Sequence, residues 1–475
     1  MLRIRTLAAA ATVAALTAAG LTLPLAGPAT AAPRLRADFN GDGYADLAVG
    51  MPKATVDGKA KAGYVNVLWG SANGPAKSTA ISQSTAGVPG TSEAGDLFGT
   101  AIAIADLNGD GYSDLAVSAS GESLDNRTTH QHGTVTVVWG SRTGFTKGGM
   151  TAAKGASEFS RLGMKMAAGD FDHDGDQDLV LTEGGEENSS TQLRPGPFAA
   201  NSSTGTQYIE GYPFGGVRDL AAGDFDGDGT TDLAVTYKGM EVSGTHVVSR
   251  ASGAWKTTWS TADYGSALAT GDFDGDHTAD LAIGLVQPNP EADGTYCEDR
   301  AGGAIAVVYG KQGTTLGGLA ACTTQSSPYV GGTAEPEDDF GGSLAVADID
   351  RGGNDELIVG VGHEGVGSQA NAGAYLYLAA NSDGTMTGPA FTQNSARVPG
   401  TAEAGDRFGA AVTTGDFNGD GYPDIVAGAP GEDSKSGGVW FFPSREEGTP
   451  PPITSLTPTR LGLKGAVEHG GVLGR

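Results

Sequence analysis

The amino-acid sequence predicts an all-β fold, and three features of its 475 residues lead to that prediction. Glycine is abundant, with 78 residues and no Gly-X-Y period. Apolar residues come in short runs of strand length, and no amphipathic helical pattern follows the N-terminal segment. An acidic nine-residue pattern recurs seven times along the chain, which indicates one repeated structural unit rather than several unrelated domains.

Residues 1–32 are predicted to be a secretory signal peptide. Arg3 and Arg5 precede an apolar run over residues 7–25, and residues 29–31 form a small-residue cleavage site. Glycine and proline interrupt the apolar run, which argues against the alternative of a membrane anchor. The sequence therefore predicts a secreted, extracellular protein without a membrane span.

The charge balance excludes some classes of partner. The formal net charge is −27, from 56 acidic and 29 basic residues. Such an excess disfavours binding to nucleic acid or to an anionic membrane surface. Bound divalent cations would offset much of it, although acidity that only keeps a secreted protein soluble remains the alternative explanation.

The two cysteines, Cys297 and Cys322, lie in the same segment between two copies of the acidic pattern. An oxidising compartment favours their pairing. We therefore expect a disulfide that closes one long insertion.

The recurring acidic pattern is typical of a cation-binding loop. In the copy at residues 106–114, side-chain oxygens stand at positions one, three, five and nine, and glycine stands at position six, where a sharp turn needs positive φ. The backbone carbonyl at position seven would complete the shell, and an all-oxygen ligand set selects calcium over zinc or copper. The predicted calcium ligands, in the six copies that keep the full set, are Asp38, Asn40, Asp42, Tyr44 and Asp46; Asp106, Asn108, Asp110, Tyr112 and Asp114; Asp170, Asp172, Asp174, Asp176 and Asp178; Asp224, Asp226, Asp228, Thr230 and Asp232; Asp272, Asp274, Asp276, Thr278 and Asp280; and Asp416, Asn418, Asp420, Tyr422 and Asp424.

Two other interpretations of this loop are less consistent with the sequence. An EF-hand needs a bidentate Glu at position twelve and a helix after it, whereas position twelve here is apolar, as at Val49 and Val117. Asp-Gly pairs also form simple hairpin turns, but a hairpin turn does not require four oxygens in fixed alternation.

Two copies of the loop deviate from the pattern. The fifth has His277 at position six, where positive φ is uncommon for a residue other than glycine, so we expect metal binding there with strain. The sixth copy, residues 348–356, lacks an oxygen at position five, and Arg351 adds a positive charge. The sequence predicts a weak or empty site in that copy.

Strand signals are arranged around each loop in a constant order. A short apolar strand follows the loop, as at residues 115–117, and a glycine-bracketed strand comes next, as at residues 133–140. Another strand precedes the loop, as at residues 98–105, and a more polar fourth strand fits around residues 80–83. Four strands per unit and seven units predict a seven-bladed β-propeller with calcium loops between strands, a fold that protects sheet edges by radial repetition.

The motifs around the loops resemble a known family. The Phe-Gly pairs that begin at Phe98, Phe340 and Phe408, with the downstream triplet at residues 428–430, are similar to the FG-GAP repeat of integrin α-subunit N-terminal propellers and of exported bacterial proteins. The resemblance covers roughly residues 33–475, which would form a single propeller. Leu and Tyr replace Phe in two of the pairs, at Leu162 and Tyr264, and the Gly-Ala-Pro triplet is intact only in the last unit.

The C-terminal segment, residues 460–475, is predicted to close the ring against the first blade. Residues 465–474 can be aligned with residues 400–409, which places Leu473 in register with Phe408. The chain would then end as a new unit begins, and the mature N-terminus would continue that unit.

The sequence favours a non-enzymatic function in extracellular binding or adhesion, with structural calcium and with an extracellular protein or glycan as partner of a monomer. Recognition would use the segments between strands at residues 119–131, 183–197 and 286–300. The alternative is a secreted hydrolase with its site in the propeller channel.

Several features weigh against that alternative. The repeated carboxylates are already assigned as metal ligands, and the sequence contains no nucleophile elbow and no metalloprotease helix. His130 and His132 lie in a polar stretch and are predicted to be exposed to solvent.

Overall fold

The computed structural model describes residues 37–474 except 126, 128, 186–187, 200–204, 241, 252, 286–296, 298–299, 382–383, 446–451 and 464–466. The predicted signal peptide lies outside the described residues. The described chain forms seven antiparallel sheets, which are the blades of a β-propeller. The predicted fold class is confirmed.

Strands are numbered in chain order, and blades are numbered from the N-terminus. Blade 1 contains β1 (Leu47–Met51), β2 (Tyr64–Trp69) and β3 (Lys77–Ile81); blade 2 contains β4 (Phe98–Ala105), β5 (Asp114–Ala119), β6 (Thr134–Val138) and β7 (Gly149–Lys154); blade 3 contains β8 (Met166–Gly169), β9 (Asp178–Glu183), β10 (Asn188–Arg194) and β11 (Gln207–Pro213); and blade 4 contains β12 (Gly215–Gly223), β13 (Asp232–Gly239), β14 (Ser243–Ala251) and β15 (Ala254–Thr261).

The remaining blades follow the same order of strands. Blade 5 contains β16 (Ala267–Gly271), β17 (Asp280–Leu285), β18 (Ala304–Val308) and β19 (Leu319–Thr323); blade 6 contains β20 (Phe340–Ala347), β21 (Glu356–Val361), β22 (Ala374–Ala380), β23 (Met386–Thr387) and β24 (Ala390–Phe391); and blade 7 contains β25 (Ala411–Gly415), β26 (Asp424–Ala429), β27 (Gly438–Phe442) and β28 (Thr454–Leu456). The last strand, β29 (Val472–Leu473), joins blade 1. Within the described ranges the helices are two four-residue turns, α1 (Glu432–Lys435) and α2 (Pro458–Leu461), and no helix is long and apolar enough to cross a membrane.

The second strand of each blade explains why the sequence shows continuous apolar runs. Every residue of β5 and β17 is buried, because neighbouring blades cover both faces of these strands. The Phe-Gly pairs lie at the contact between blades, where Phe98 and Phe408 are fully buried. A Cβ on Gly63 would lie 2.2 Å from the carbonyl oxygen of Phe98, so the glycine before β2 is needed for this close approach.

Three side-chain clasps recur at equivalent places between adjacent blades. In each clasp a buried glutamine amide donates to a glutamate carboxylate, over 2.5 to 2.7 Å, and the pairs are Gln83 with Glu122, Gln325 with Glu364, and Gln393 with Glu432. Burial raises the pKa of each of these glutamates. The clasps therefore join blades 1 and 2, 5 and 6, and 6 and 7.

Cys297 and Cys322 are paired in a disulfide, as the sequence predicted.

The segment at residues 183–197 is not the loop that the sequence predicted, because it contains β10, the third strand of blade 3. The polar residues that begin β10 hid its strand pattern.

The last strand closes the ring by pairing with β1. Leu473 lies opposite Val49, as Ile102 lies opposite Val117 in blade 2. Val49 and Val117 both stand at position twelve of their loops, so Leu473 corresponds to Ile102.

This register places His469 where blades 2, 6 and 7 have the phenylalanine of the Phe-Gly pair. Gly437 bridges His469 in the same parallel manner as Gly373 bridges Phe408. The predicted alignment of Leu473 with Phe408 is therefore wrong by four residues. A histidine in the place of phenylalanine shifted the sequence match to the next apolar residue before a glycine.

His469 has few polar partners for a buried histidine. Its relative exposure is 0%, and Nδ1 has no hydrogen-bond partner among the described residues. Nε2 lies 3.5 Å from Nδ2 of Asn66, at the limit of a hydrogen bond. Desolvation by burial lowers the pKa of His469 from 6.5 to about 4.

We expect His469→Phe to stabilise the protein, and more so in acid. The folded state holds the neutral imidazole, whereas the unfolded state takes up a proton below pH 6.5, so the wild type loses stability as pH falls from 6.5 towards 4. The difference between the variants should grow by up to about 1.4 kcal/mol per pH unit in this window. Urea unfolding of both proteins across that pH range measures the difference in their free energies of unfolding. A difference that does not change with pH would contradict the lowered pKa of His469.

Candidate metal centres

The acidic loops of adjacent blades lie side by side, and five of the seven adjacent pairs are joined by a described backbone hydrogen bond. Each loop directly precedes the second strand of its blade, and in blades 2 to 7 it connects the innermost strand to that strand, as between β4 and β5. The amide at position eight of one loop donates to the carbonyl at position one of the preceding loop. These bonds run from Ser113 to Asp38, Thr231 to Asp170, Ala279 to Asp224, Asp355 to Asp272, and Ala45 to Asp416, over 2.7 to 3.1 Å. Pro423 holds position eight of the seventh loop and has no N–H to donate.

Position one accepts hydrogen bonds from the loop's own backbone. The amide of position six donates to the position-one carboxylate in every copy, for example from Gly43 to Asp38 over 3.0 Å and from Gly421 to Asp416 over 2.9 Å. His277 makes the same bond at 2.9 Å and adopts φ of 68°, so the predicted positive φ at this position is confirmed. The structure also shows positive φ at position four, as at Gly109, a feature that the predicted loop pattern did not include.

The carboxylate at position nine is buried beneath each loop. Asp46 is 1% exposed, and its two oxygens accept hydrogen bonds from the amides of Phe39 and Gly70 over 3.0 and 2.8 Å. The pKa of Asp46 is raised to about 7, first by desolvation and also by the loop carboxylates Asp38 and Asp42, while the two hydrogen bonds oppose this rise. Position nine therefore fixes the loop to the blade, in addition to any part in binding metal.

The other copies repeat this arrangement. Burial raises the pKa to about 7 for Asp114, Asp232, Asp280 and Glu356, to about 6 for Asp178 and to about 8 for Asp424. The residue at position two, which donates to the position-nine carboxylate, is apolar and buried in every copy: Phe39, Leu107, Phe171, Phe225, Phe273, Ile349 and Phe417. An apolar residue at position two is therefore a further sequence signal of this loop.

The oxygen atoms of several loops are placed closely enough to share one cation. The carboxylates of Asp170, Asp172 and Asp178 offer oxygens within 4.8 Å of one another, and so do Asp224, Asp226 and Asp232, and Asp272, Asp274 and Asp276. One oxygen each of Asp172 and Asp348 is shielded from solvent and has no hydrogen-bond partner among the described residues. Shielded, unpaired carboxylate oxygens in an oxygen-only set fit a hard divalent cation such as calcium.

The third loop differs from the others in a way that the sequence did not show. Arg250, from β14 of blade 4, places Nη1 3.1 Å from Oδ2 of Asp172, and both side chains are mostly buried. The guanidinium therefore supplies part of the positive charge that a metal would bring to position three.

The sixth loop keeps more of the pattern than the sequence suggested. Asp348, Asp350 and Glu356 offer oxygens within 4.8 Å of one another. The guanidinium of Arg351 lies 5.1 Å from the ring centre of Tyr422, over the neighbouring loop, rather than inside its own. The expectation of a weak or empty site stays a prediction.

The propeller channel has little of the chemistry that the hydrolase alternative requires. The innermost strands enclose a cavity of about 480 Å³ lined mainly by Ala, Leu, Val and Thr, with Asp46 and Asp416 from the loops. A second recess, of about 180 Å³, contains Asp219 and Lys165. Asp219 accepts the amide of Leu268 over 3.0 Å and lies 3.7 Å from Nζ of Lys165. Each carboxylate in the described lining thus already has a partner or belongs to a loop.

His130 and His132 are not exposed as predicted. Both are partly buried, and the side chain of His130 is 15% exposed. Asp125 and Glu158 lie on the two sides of the His130 ring. The sequence could not show this because Glu158 follows the next two strands of the blade, β6 and β7.

Comparisons with known proteins agree with the repeat pattern. The FG-GAP repeat matches residues 98–138, 216–245 and 408–442, and an FG-GAP-like repeat matches residues 38–117. The phosphatidylinositol-glycan-specific phospholipase D of Rattus norvegicus is 32% identical over 148 residues, which cover 31% of this chain. Integrin alpha-X of Mus musculus is 32% identical over 155 residues, or 28% of this chain.

These matches cover a small part of each relative. The chain spans 17% of the length of the phospholipase and 12% of the integrin. Among solved structures, a rhamnogalacturonan lyase of Bacillus licheniformis covers 84% of this chain and 72% of its own, with 14% identity and a TM-score of 0.39. That score is too low to bear on function.

The two roles of the loop carboxylates can be separated by substitution. We expect Asp46→Ala to lower stability by roughly 2 kcal/mol even in a calcium chelator, because it leaves the amides of Phe39 and Gly70 without an acceptor. Asp42→Ala, at exposed position five, should change chelated stability by less than about 0.5 kcal/mol. Chemical denaturation with chelator and with calcium measures both, and equal losses in chelator would refute a separate role for position nine.

Proposed function

Because this chain carries FG-GAP repeats on a seven-bladed propeller, we propose that it is a secreted, calcium-binding scaffold for extracellular binding or adhesion. The observation that carries the proposal is the set of loop carboxylates whose oxygens converge within 4.8 Å in successive blades. The calcium has a structural role in this proposal. Secretion rests on the leader-like sequence of residues 1–32.

A structural role follows from the electrostatics of the loops. Three to five carboxylates crowd each loop, and their mutual repulsion opposes the folded state without a cation. Adjacent loops also contact one another through backbone bonds such as that from Ser113 to Asp38. A cation in one loop therefore stabilises that loop and the edge of the next, and binding to the folded state alone raises stability by linkage.

A binding scaffold also needs a surface that the repeat does not already use. Blade 4 presents one at the start of β12 and in the connection between β13 and β14, where Phe214, Met240 and Val242 are 50, 78 and 54% exposed. The amide of Met240 donates to the carbonyl of Phe214 over 3.1 Å, so two of these side chains are held on adjacent turns. We name Phe214, Met240 and Val242 the blade 4 tip, and we propose that it contributes to partner binding.

Removal of calcium should lower the melting temperature strongly. At a free calcium concentration a hundred times the dissociation constant, each occupied loop adds about 2.7 kcal/mol of stability, which chelator abolishes. Differential scanning calorimetry with calcium, with chelator, and with magnesium in place of calcium measures the effect. An unchanged melting temperature in chelator would rule out structural calcium.

The binding function can be tested against the enzymatic alternative in one design. Calcium-loaded protein is applied to an array of glycans and extracellular matrix proteins, and to a panel of glycoside and phosphodiester hydrolase substrates. We expect retention of at least one array ligand, loss of that binding in a Phe214→Ser, Met240→Ser double variant, and no turnover. Tyr329→Ser removes a side chain that is 88% exposed elsewhere and serves as the matched control. Turnover without array binding would support the hydrolase instead.

A further inference from the structure

We propose that Asp125, His130 and His132 bind a divalent transition-metal ion, with zinc preferred, at a site separate from the acidic loops. Each of the three side chains offers one ligand atom, and these atoms all lie within 4.8 Å of one another. The imidazole rings of His130 and His132 are 6.0 Å apart between centres and inclined at 56°, so they converge without stacking. We name these three residues the blade 2 cluster.

The backbone holds the blade 2 cluster in place before any metal binds. The cluster lies in the connection between β5 and β6, and this connection is bonded to the segment that follows β7. The bonded pairs are Gln131 N with Glu158 O at 2.8 Å, Arg161 N with Gln131 O at 2.7 Å, and Leu162 N with His132 O at 3.0 Å. Two loops that are distant in sequence are thereby fixed at the histidines, which lowers the ordering cost of a metal site.

Asp125 is oriented by hydrogen bonds to one of its oxygens. Oδ1 accepts from the amide of Arg127 and the hydroxyl of Ser123, both over 3.2 Å. This leaves Oδ2 directed to Nδ1 of His130 at 2.7 Å. A tetrahedral ion with ligands at about 2.0–2.2 Å separates adjacent ligand atoms by roughly 3.3 Å, so a small outward movement of Asp125 admits the ion.

Glu158 supplies the partner that metal-binding histidines commonly have. Its Oε2 lies 2.6 Å from Nε2 of His130, on the side of the ring away from Asp125. A carboxylate at this place accepts the Nε2–H and fixes the ring, so the ion takes the place of the Nδ1 proton that faces Asp125, and that proton is released to solvent. Glu158 is therefore a positioning residue in the proposal.

His132 is also found in a form that can bind metal. Its Nδ1 accepts the amide hydrogen of Leu124 over 3.2 Å, so this nitrogen carries a lone pair. The bond is long and exposed, and an ion can displace it at small cost.

The ligand types select the metal. Imidazole nitrogens favour zinc, copper and nickel, whereas calcium and magnesium take oxygen ligands. Two histidines and one carboxylate provide three protein ligands and leave a fourth position to water or to an outside donor. The side chains of Asp125 and Glu158 are 41 and 42% exposed, so the site is open to solvent. The site thus differs in chemistry from the loops and does not depend on the proposed calcium function.

Titration of the full protein with zinc tests the proposal. Calcium is kept at a saturating concentration so that the acidic loops do not compete for zinc. Calorimetry should show that the wild-type protein binds one equivalent of zinc. The His132→Ala and His130→Ala variants should each lose at least tenfold in zinc affinity. Glu158→Gln should bind zinc about tenfold more weakly than the wild type. His363→Ala removes a partly buried histidine outside the cluster and should bind zinc as the wild type does.

A second readout keeps the test valid if a variant folds poorly. Cobalt(II) added to the wild-type protein should give the intense visible absorption of a four- or five-coordinate ion, and zinc should abolish it. Each variant is first checked for the circular dichroism spectrum and the melting temperature of the wild type, measured without zinc. Absence of zinc uptake, uptake unchanged in both histidine variants, or only the weak spectrum of hydrated cobalt would overturn the proposal.

Discussion

The blades depend on one buried carboxylate beneath each acidic loop. At position nine, as in Asp46, the carboxylate accepts the amide of an apolar residue from its own loop and the amide of the residue that follows the third strand of the blade, Gly70. Burial makes the ionised group costly, and the raised pKa of Asp46 reports that cost. The rest of the loop follows from this constraint: position two must be apolar, position six must tolerate positive φ, and the outer carboxylates must share a small volume. A cation at the loop would compensate the concentrated charge.

Contacts between blades turn this local unit into a ring. Backbone bonds connect loop to loop, glycines allow the Phe-Gly backbone of the next blade to approach, and Gln–Glu clasps join three pairs of blades. The final strand completes blade 1 beside β1, and His469 takes the place of a phenylalanine at that closure. The closing contact is therefore chemically unlike the others, because a polar ring replaces an apolar one in the same buried position.

Function is better sought in what does not repeat. The loop carboxylates recur from blade to blade and serve the architecture. The blade 4 tip is exposed and apolar, and the blade 2 cluster combines two histidines with a carboxylate, an arrangement that the other described blades do not show. The apolar lining of the channel, by contrast, offers little acid–base chemistry. The two non-repeated surfaces are chemically independent of each other and of the loops.

The sequence by itself determined the period, the fold class, most strands, the acidic loops and the positive φ at His277. Each of these features depends on residues that are close together in the chain, and the repeats show the same pattern at equivalent positions. The tertiary structure alone decided the ion pair of Arg250 with Asp172, the contact of Glu158 with His130, and the register of His469 at the ring closure. These join residues from different strands or from opposite ends of the chain, where the spacing of the sequence carries no information about distance. Strand β10 was missed for a related reason, since its polar start is stabilised by pairing with its neighbours rather than by its own pattern.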